Sequence, residues 1–181
     1  MRARIDHLLI AVPDIEAATR FWTEVIGLHV SGEYTVEIHD GSHVYCRVLE
    51  GEGHDFTIVL GQGVEEWSEY TRKMTANGPV LHHIATAVED IDAATAELKA
   101  KDVPLMSDRP VEAEGLRQIF TQRIPATGVV HEIIQRTDGR RGFASDNIRE
   151  LVHQSLEHLP EPEAERHHRA LDRAGAAAPV A

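Results

Sequence analysis

The sequence predicts an α+β fold built from two βαβββ modules and a C-terminal helix. Three observations predict it. Ile5 to Thr19, IDHLLIAVPDIEAAT, returns at Leu81 to Thr95 as LHHIATAVEDIDAAT, with eight of fifteen positions identical at a constant offset of 76. Each copy runs from a β-rich apolar stretch, through an aspartate suited to capping, into an Ala-rich helix. Three strand-like stretches then follow each helix.

Taken in order, the first copy opens with an apolar strand ending at Pro13, and Asp14 caps a helix from Ile15 to about Ile26. Ile15, Ala18, Trp22 and Val25 recur at helical spacing there, and Gly27 is a stop signal. Strands are expected at Leu28 to His39, His43 to Leu49 and Phe56 to Leu60, parted by Asp40-Gly41 and Glu50-Gly51-Glu52-Gly53. In the second copy Asp90 caps a helix from Ile91 to about Lys101, and strands are expected at Val103 to Met106, Leu116 to Gln122 and Val129 to Gln135. The modules are thus residues 1–63 and 81–143, joined by a polar linker, 64–80, with helix character from Val64 to Met74. Ser145 or Asp146 caps a C-terminal helix over 144–159, on an apolar stripe of Ile148, Leu151, Val152, Leu156 and Leu159. Residues 160–181 shift to Pro, Glu, Arg and Ala and read as a solvated tail.

Composition narrows the function. With 42% hydrophobic and 27% charged residues, the balance is that of a globular chain. A formal charge of −12 repels phosphate backbones, so nucleic acid is not an expected partner. Leu8 to Val12 is too short to span a bilayer, and no secretory signal layout precedes it, so no membrane partner is expected and the cytoplasm is the expected compartment. The one cysteine, Cys46, cannot form an internal disulfide and reads as a small buried residue.

Strand alternation puts His7, Leu9 and Ala11 on one face and Leu8, Ile10 and Val12 on the other. By the repeat, His83, Ala85 and Ala87 share a face, and two equivalent imidazoles would meet across a pseudo-twofold axis beside small alanines. Glu132 lies in the middle of the apolar run VVHEIIQ, and burying its carboxylate calls for a metal, an ion pair or a proton. By the same alternation His82 and His131 face away. His39, His43 and His54 read as surface or strand residues, and His167-His168 lies in the tail. Glu33 and Glu37 fit a solvated strand face, or the second acid/base group of an isomerase.

The repeated unit, with HLLIAVPDIEAA, HIATAVEDIDAA and the closing HEIIQ, resembles the vicinal oxygen chelate superfamily over about residues 3 to 136. That superfamily includes glyoxalase I, methylmalonyl-CoA epimerase, extradiol dioxygenases and bleomycin-resistance proteins. The resemblance implies an open, curled mixed sheet around a metal, with His7, His83 and Glu132 as ligands. It also implies members that often pair edge to edge, hence a homodimer. Isomerases of the family take a fourth ligand from the last strand of the first module. Matching IVLGQ to EIIQR puts Ile58 there, and a shift of one or two residues puts Thr57 or Phe56 there; none suits a divalent metal. Two histidines and a carboxylate with open positions is the arrangement of non-haem Fe(II) oxygenases.

A narrower likeness adds to this. LRQIFT at 116 to 121, HEIIQR at 131 to 136, Gly142-Phe143 and Asn147 follow in the order seen in the C-terminal half of 4-hydroxyphenylpyruvate dioxygenase and hydroxymandelate synthase. It implies Gln118 as a hydrogen-bond donor to substrate and Phe143 on a closing helix, in a pocket with Leu9, Ile58, Val130 and Ile134. The favoured expectation is therefore a mononuclear Fe(II) dioxygenase acting on a small 2-oxo acid. The alternative is a metal-dependent epimerase or isomerase working through an enolate, and the third a metal-free ligand-binding protein of the resistance kind. Co(II), Mn(II), Ni(II) and Zn(II) fit the same ligands as Fe(II).

Overall fold

The computed structural model describes residues 4–37, 41–54, 57–113 and 115–137. In chain order these form β1 (Arg4–Ala11), α1 (Ile15–Arg20), β2 (His29–Glu37), β3 (His43–Glu50), β4 (Thr57–Gly63), α2 (Glu69–Asn77), β5 (Val80–Ala87), α3 (Ile91–Ala100), β6 (Val111–Ala113), β7 (Leu116–Phe120) and β8 (Val130–Arg136). The eight strands make one open, curled mixed sheet in the order β2-β3-β4-β1-β5-β8-β7-β6. Each βαβββ module supplies four neighbouring strands. Its first strand runs parallel to its last, β1 with β4 and β5 with β8, and the modules join through the antiparallel pair β1·β5. The expected C-terminal helix and tail lie outside the described residues, as does Phe143. Among the described residues, no helix is long and apolar enough to cross a membrane.

The repeat extends to individual hydrogen bonds. Asp14 Oδ1 accepts from Ala17 N and Asp90 Oδ1 from Ala93 N, both at 2.9 Å, so both helices carry the expected cap. Gln62 Oε1 accepts from Ile15 N and Gln135 Oε1 from Ile91 N, tying each helix start to the last strand of its module. Val12 N donates to Gly61 O and Val88 N to Ile134 O, at 2.8 and 2.9 Å. These pairs relate the two last strands by 73 residues, whereas the first strands are related by 76.

Apolar residues divide between the two faces as alternation demands. On the helix side, Leu49, Ile58 and Leu60 pack with Val12, Ile15 and Trp22, and Ile119 and Ile133 with Val88, Ile91 and Ala94. On the inner side, Leu9, Val44, Cys46, Val48 and Val59 pack with Tyr34 and Tyr70, and Ala85 with Val111, Leu116 and Ile134. Ile58 therefore belongs to the helix-side core and not to the inner pocket expected for it.

Three elements differ from expectation. The α-helix ends at Arg20 and continues as a π-turn, Phe21–Val25, in which Ile26 N bonds to Phe21 O. Val103–Met106 is not a ladder strand, because Pro104 has no N–H to give; Leu105 makes only an isolated bridge to Thr121, and the strand forms later, at β6. The linker helix starts at Glu69, after Ser68, and leans over the inner face, where the Tyr70 hydroxyl donates to Gly61 O at 3.4 Å.

The contact of α2 with β4 requires a glycine. A Cβ on Gly63 would overlap the Thr71 side chain and lie 3.1 Å from its Cα. Gly63→Ala is expected to destabilise the chain by roughly 1–3 kcal/mol, read as a lower thermal midpoint. An unchanged midpoint would show that α2 moves off β4 without cost.

Candidate metal centre

His7, His83 and Glu132 converge on the inner face with exposures of 2%, 7% and 2%. The β1·β5 register places His7 opposite Ala85 and His83 opposite Leu9, with Leu8 and Ile84 facing each other at the pseudo-twofold. Glu132 lies beside Ala85 on β8, and Ala85 lies opposite His7, so only a methyl group stands on the strand between the carboxylate and the imidazole. His7 Nε2 and His83 Nε2 are 3.3 Å apart, and Glu132 Oε2 stands 3.4 Å from the first and 3.3 Å from the second. These atoms form a nearly equilateral triangle that could hold a cation against one of its faces.

Among the three side chains themselves, a proton shared with the imidazoles offsets the carboxylate. Burial alone would raise the Glu132 carboxyl, but the charges and hydrogen bonds of His7 and His83 outweigh it and hold it down to about 2. Burial alone would lower His7, but Glu132 and Asp6 outweigh it and push the imidazole up to about 9.

Two β-bulges shape the surroundings. In β1, Ile5 faces Thr86 and His7 faces Ala85, so Asp6 is an extra residue. In β5, Ile10 faces Leu81 and Leu9 faces His83, so His82 is an extra residue. Alternation predicted that His82 faces away; the bulge cancels that prediction and brings His82 Nδ1 within 3.0 Å of His83 Nδ1. The equivalent bulge lets Asp6 Oδ1 accept from His7 Nδ1 at 3.0 Å, while Arg136 grips both oxygens of Asp6 at 2.7 and 2.9 Å. Arg136 is the main cause that holds the Asp6 carboxyl well below the usual range against the opposing effect of burial. Burial, with the charges of His83 and Arg123, takes His82 down to about 4, so it is neutral at pH 7. The His83 ring meets Phe120 edge-on at 5.7 Å.

The fourth position is Val59. Leu9 lies beside Val59 as Ala85 lies beside Glu132, and the 73-residue relation of Gln62 to Gln135 carries Val59 onto Glu132. Matching Ile58 to that position is therefore out by one residue; the residue that stands there is still not a ligand.

Gln118 faces inward beside Ile134 and Val111 at 8% exposure. Tyr34 faces inward too; burial first, then Cys46 and the Glu132 charge, keep its phenol protonated well above the ordinary range. The other expected groups are engaged elsewhere. Glu33 binds Arg47 on the helix face, where Arg47 also reaches Glu16 and Thr19, and Glu37 shares that face, so neither is an acid/base group for the inner pocket. His43 pairs with Glu65 at 2.8 Å and His131 with Thr127 at 3.1 Å. Asp6, His82, Arg136 and Phe120 were not anticipated. The HH and DH doublets were visible in the sequence, but a bulge is not, and Arg136 reaches Asp6 across 130 residues.

Comparison with known proteins gives a family match, the Glyoxalase/Bleomycin resistance protein/Dioxygenase superfamily, over residues 6–121. The chain is 31% identical to the mitochondrial methylmalonyl-CoA epimerase of Mus musculus over 133 residues, covering 73% of this chain and 72% of that one. It is 34% identical to the ethylmalonyl-CoA/methylmalonyl-CoA epimerase of Cereibacter sphaeroides over 137 residues, 75% of this chain and 99% of the relative. Among solved structures, methylmalonyl-CoA epimerase from Mycobacterium tuberculosis superposes with a TM-score of 0.60 at 25% identity, over 74% of this chain and 87% of that one. A 4-hydroxymandelate synthase variant from Streptomyces coelicolor gives 0.71 at 22% identity, over 91% of this chain and 56% of that one, a likeness of fold alone.

These relatives overturn the dioxygenase expectation, and the preference for iron goes with it. LRQIFT and HEIIQR are β7 and β8, whose buried Leu116, Ile119, Ile133 and Ile134 answer to sheet packing. Such a string reports the fold and not the reaction. Nor does the missing fourth protein ligand select oxygen chemistry, since water completes the sphere of many divalent ions.

The opposite shifts of His7 and Glu132 give the metal-free chain an expected pH dependence. His7, raised from 6.5 to about 9, contributes stability that is whole below 6.5 and lost as pH rises through 9. Glu132, lowered from 4.5 to about 2, contributes stability that is present above 4.5 and lost as pH falls through 2. Both contributions are full only between 4.5 and 6.5, so the thermal midpoint of the metal-free chain should decline above that window. Glu132→Gln should flatten the decline.

Proposed function

The chain belongs to the Glyoxalase/Bleomycin resistance protein/Dioxygenase superfamily, and from that premise we propose that it is a metal-dependent epimerase or closely related isomerase, working through an enolate. The substrate proposed is a small carbonyl compound with an acidic C–H next to the carbonyl, and a 2-substituted acyl thioester is the first to test, given the relatives. The observation that carries the reading is the buried convergence of His7, His83 and Glu132 within 3.4 Å on the inner face.

The residues fit a divalent cation. Two imidazole nitrogens and one carboxylate oxygen make a borderline donor set that Co(II), Mn(II), Ni(II), Zn(II) and Fe(II) all accept. A divalent cation held there supplies a Lewis acid for a substrate carbonyl oxygen, which makes the adjacent C–H more acidic. The chain's own groups set the surroundings in which a base removes that proton. His7 and His83 contribute no charge and Glu132 one negative charge, so the loaded centre keeps a net positive charge facing the pocket. Val59, Leu9 and Val48 keep that side apolar, which strengthens electrostatic contacts made inside it. Gln118 offers an amide to orient the substrate, and the protonated Tyr34 hydroxyl can donate to negative charge developing on oxygen.

Methylmalonyl-CoA in D2O, with protein loaded in turn with each cation, tests the reading by mass spectrometry. Deuterium is expected at the carbon between the carbonyls, without oxygen consumption, and Glu132→Ala should lower the rate by at least about 100-fold. Protein that binds a cation at this centre yet exchanges no deuterium into the thioester would overturn the epimerase proposal. Metal uptake at pH 7.5 is further expected to release about one proton, from His7, in titrations run in buffers of different ionisation enthalpy.

A further inference from the structure

The offset that relates His7 to His83 also relates Asp6 to His82. Each is the extra residue of a bulge, and each touches the Nδ1 of the histidine that follows it, at 3.0 Å in both copies. In a regular strand the residue before an inward-facing histidine points outward. Two separate bulges defeat that rule at the same place in both modules.

An imidazole that offers Nε2 to a cation must carry its proton on Nδ1, and that proton needs an acceptor. Asp6 is such an acceptor for His7, with its carboxylate clamped by Arg136. His82 Nδ1 is the acceptor available to His83, provided that the His82 proton sits on Nε2. The acceptors differ in kind: one is a carboxylate, the other an imidazole whose ring centre stands 6.1 Å from that of Tyr70 on the linker helix.

We propose that Asp6 and His82 are positioning residues of the centre. Each fixes the Nδ1 proton of the next histidine so that Nε2 faces the cation. The proposal rests on the reading of His7, His83 and Glu132 as ligands. It concerns how they are oriented and how tightly each holds.

Co(II) titration of the intact chain, followed by calorimetry and visible absorption, tests it, with the thermal midpoint of each metal-free variant as a control for folding. His82→Ala is expected to weaken Co(II) binding by about 10-fold and shift the visible bands, and His82→Asn, which restores an acceptor, should recover most of both. Asp6→Asn should weaken binding more, within the range of roughly 10- to 100-fold seen for outer-shell partners. His82→Asp, which gives the second histidine the partner of the first, should likewise keep binding and bands that His82→Ala loses. Nitrogen NMR of the Zn(II)-loaded chain should show the His83 proton on Nδ1 in the wild type and an altered Nδ1 signal in His82→Ala. If wild type binds Co(II) and His82→Ala matches it in affinity, bands and NMR, the positioning role is wrong while the ligand reading stands. If wild type itself takes up no Co(II), the ligand reading fails and the proposal falls with it.

Discussion

Between β1 and β5 runs the backbone ladder that stitches the two modules together, centred on Leu8 opposite Ile84. Every other feature of the centre follows from that ladder. It sets two histidines one diagonal step apart, and it places Ala85 so that a carboxylate on the next strand can reach both. A slip of one residue would turn the imidazoles toward the helices and bury them in an aliphatic core. The flanking apolar clusters resist that slip, because Leu8, Ile10 and Ile58 on one side and Leu9 and Val59 on the other fit only one register.

The polar cluster sits inside this apolar frame, and its members depend on one another. Glu132 stays ionised through His7, His7 stays protonated through Glu132 and Asp6, and Asp6 is held by Arg136. Arg136 is four residues beyond Glu132 on the same strand, so β8 supplies both the innermost anion and the cation that anchors the far side of the cluster. Loss of any one member would leave a buried charge without its counterpart, a costly arrangement. The cluster therefore fixes β8 against β1 even though β5 lies between them.

Much of this could be read in the sequence, for stated reasons. The 76-residue repeat predicts two copies of one unit, and alternation predicts that His7 and His83 share an inner face. Glu132 stands out as a lone carboxylate in an apolar strand. What alternation could not supply was the bulges, which hinge on one unpaired residue each and leave no mark in a hydrophobic pattern. The fourth position falls at Ile58 when IVLGQ is matched to EIIQR, an offset of 74, whereas the bonds of Gln62 and Gln135 relate the two last strands by 73. The β6 strand was misplaced because Val103 to Met106 is apolar enough for a strand but contains Pro104. The reaction was misread for a different reason: the β7 and β8 residues that suggested it are set by packing, which chemically different members of a fold share.

Val59 in the place of Glu132 has a consequence of its own. Duplicating one module and folding it onto its copy across β1 would create two equal sites for a carboxylate, one on each side of the histidine pair. Had both been filled, four protein donors would surround the centre and a bound cation would face the two halves alike. With valine on one side, the symmetry is broken in a single direction. The anionic wall belongs to the second module and the greasy wall to the first. A guest entering the cleft therefore meets a polarised cavity, and an unsymmetrical guest can satisfy both walls in only one of its two head-to-tail orientations.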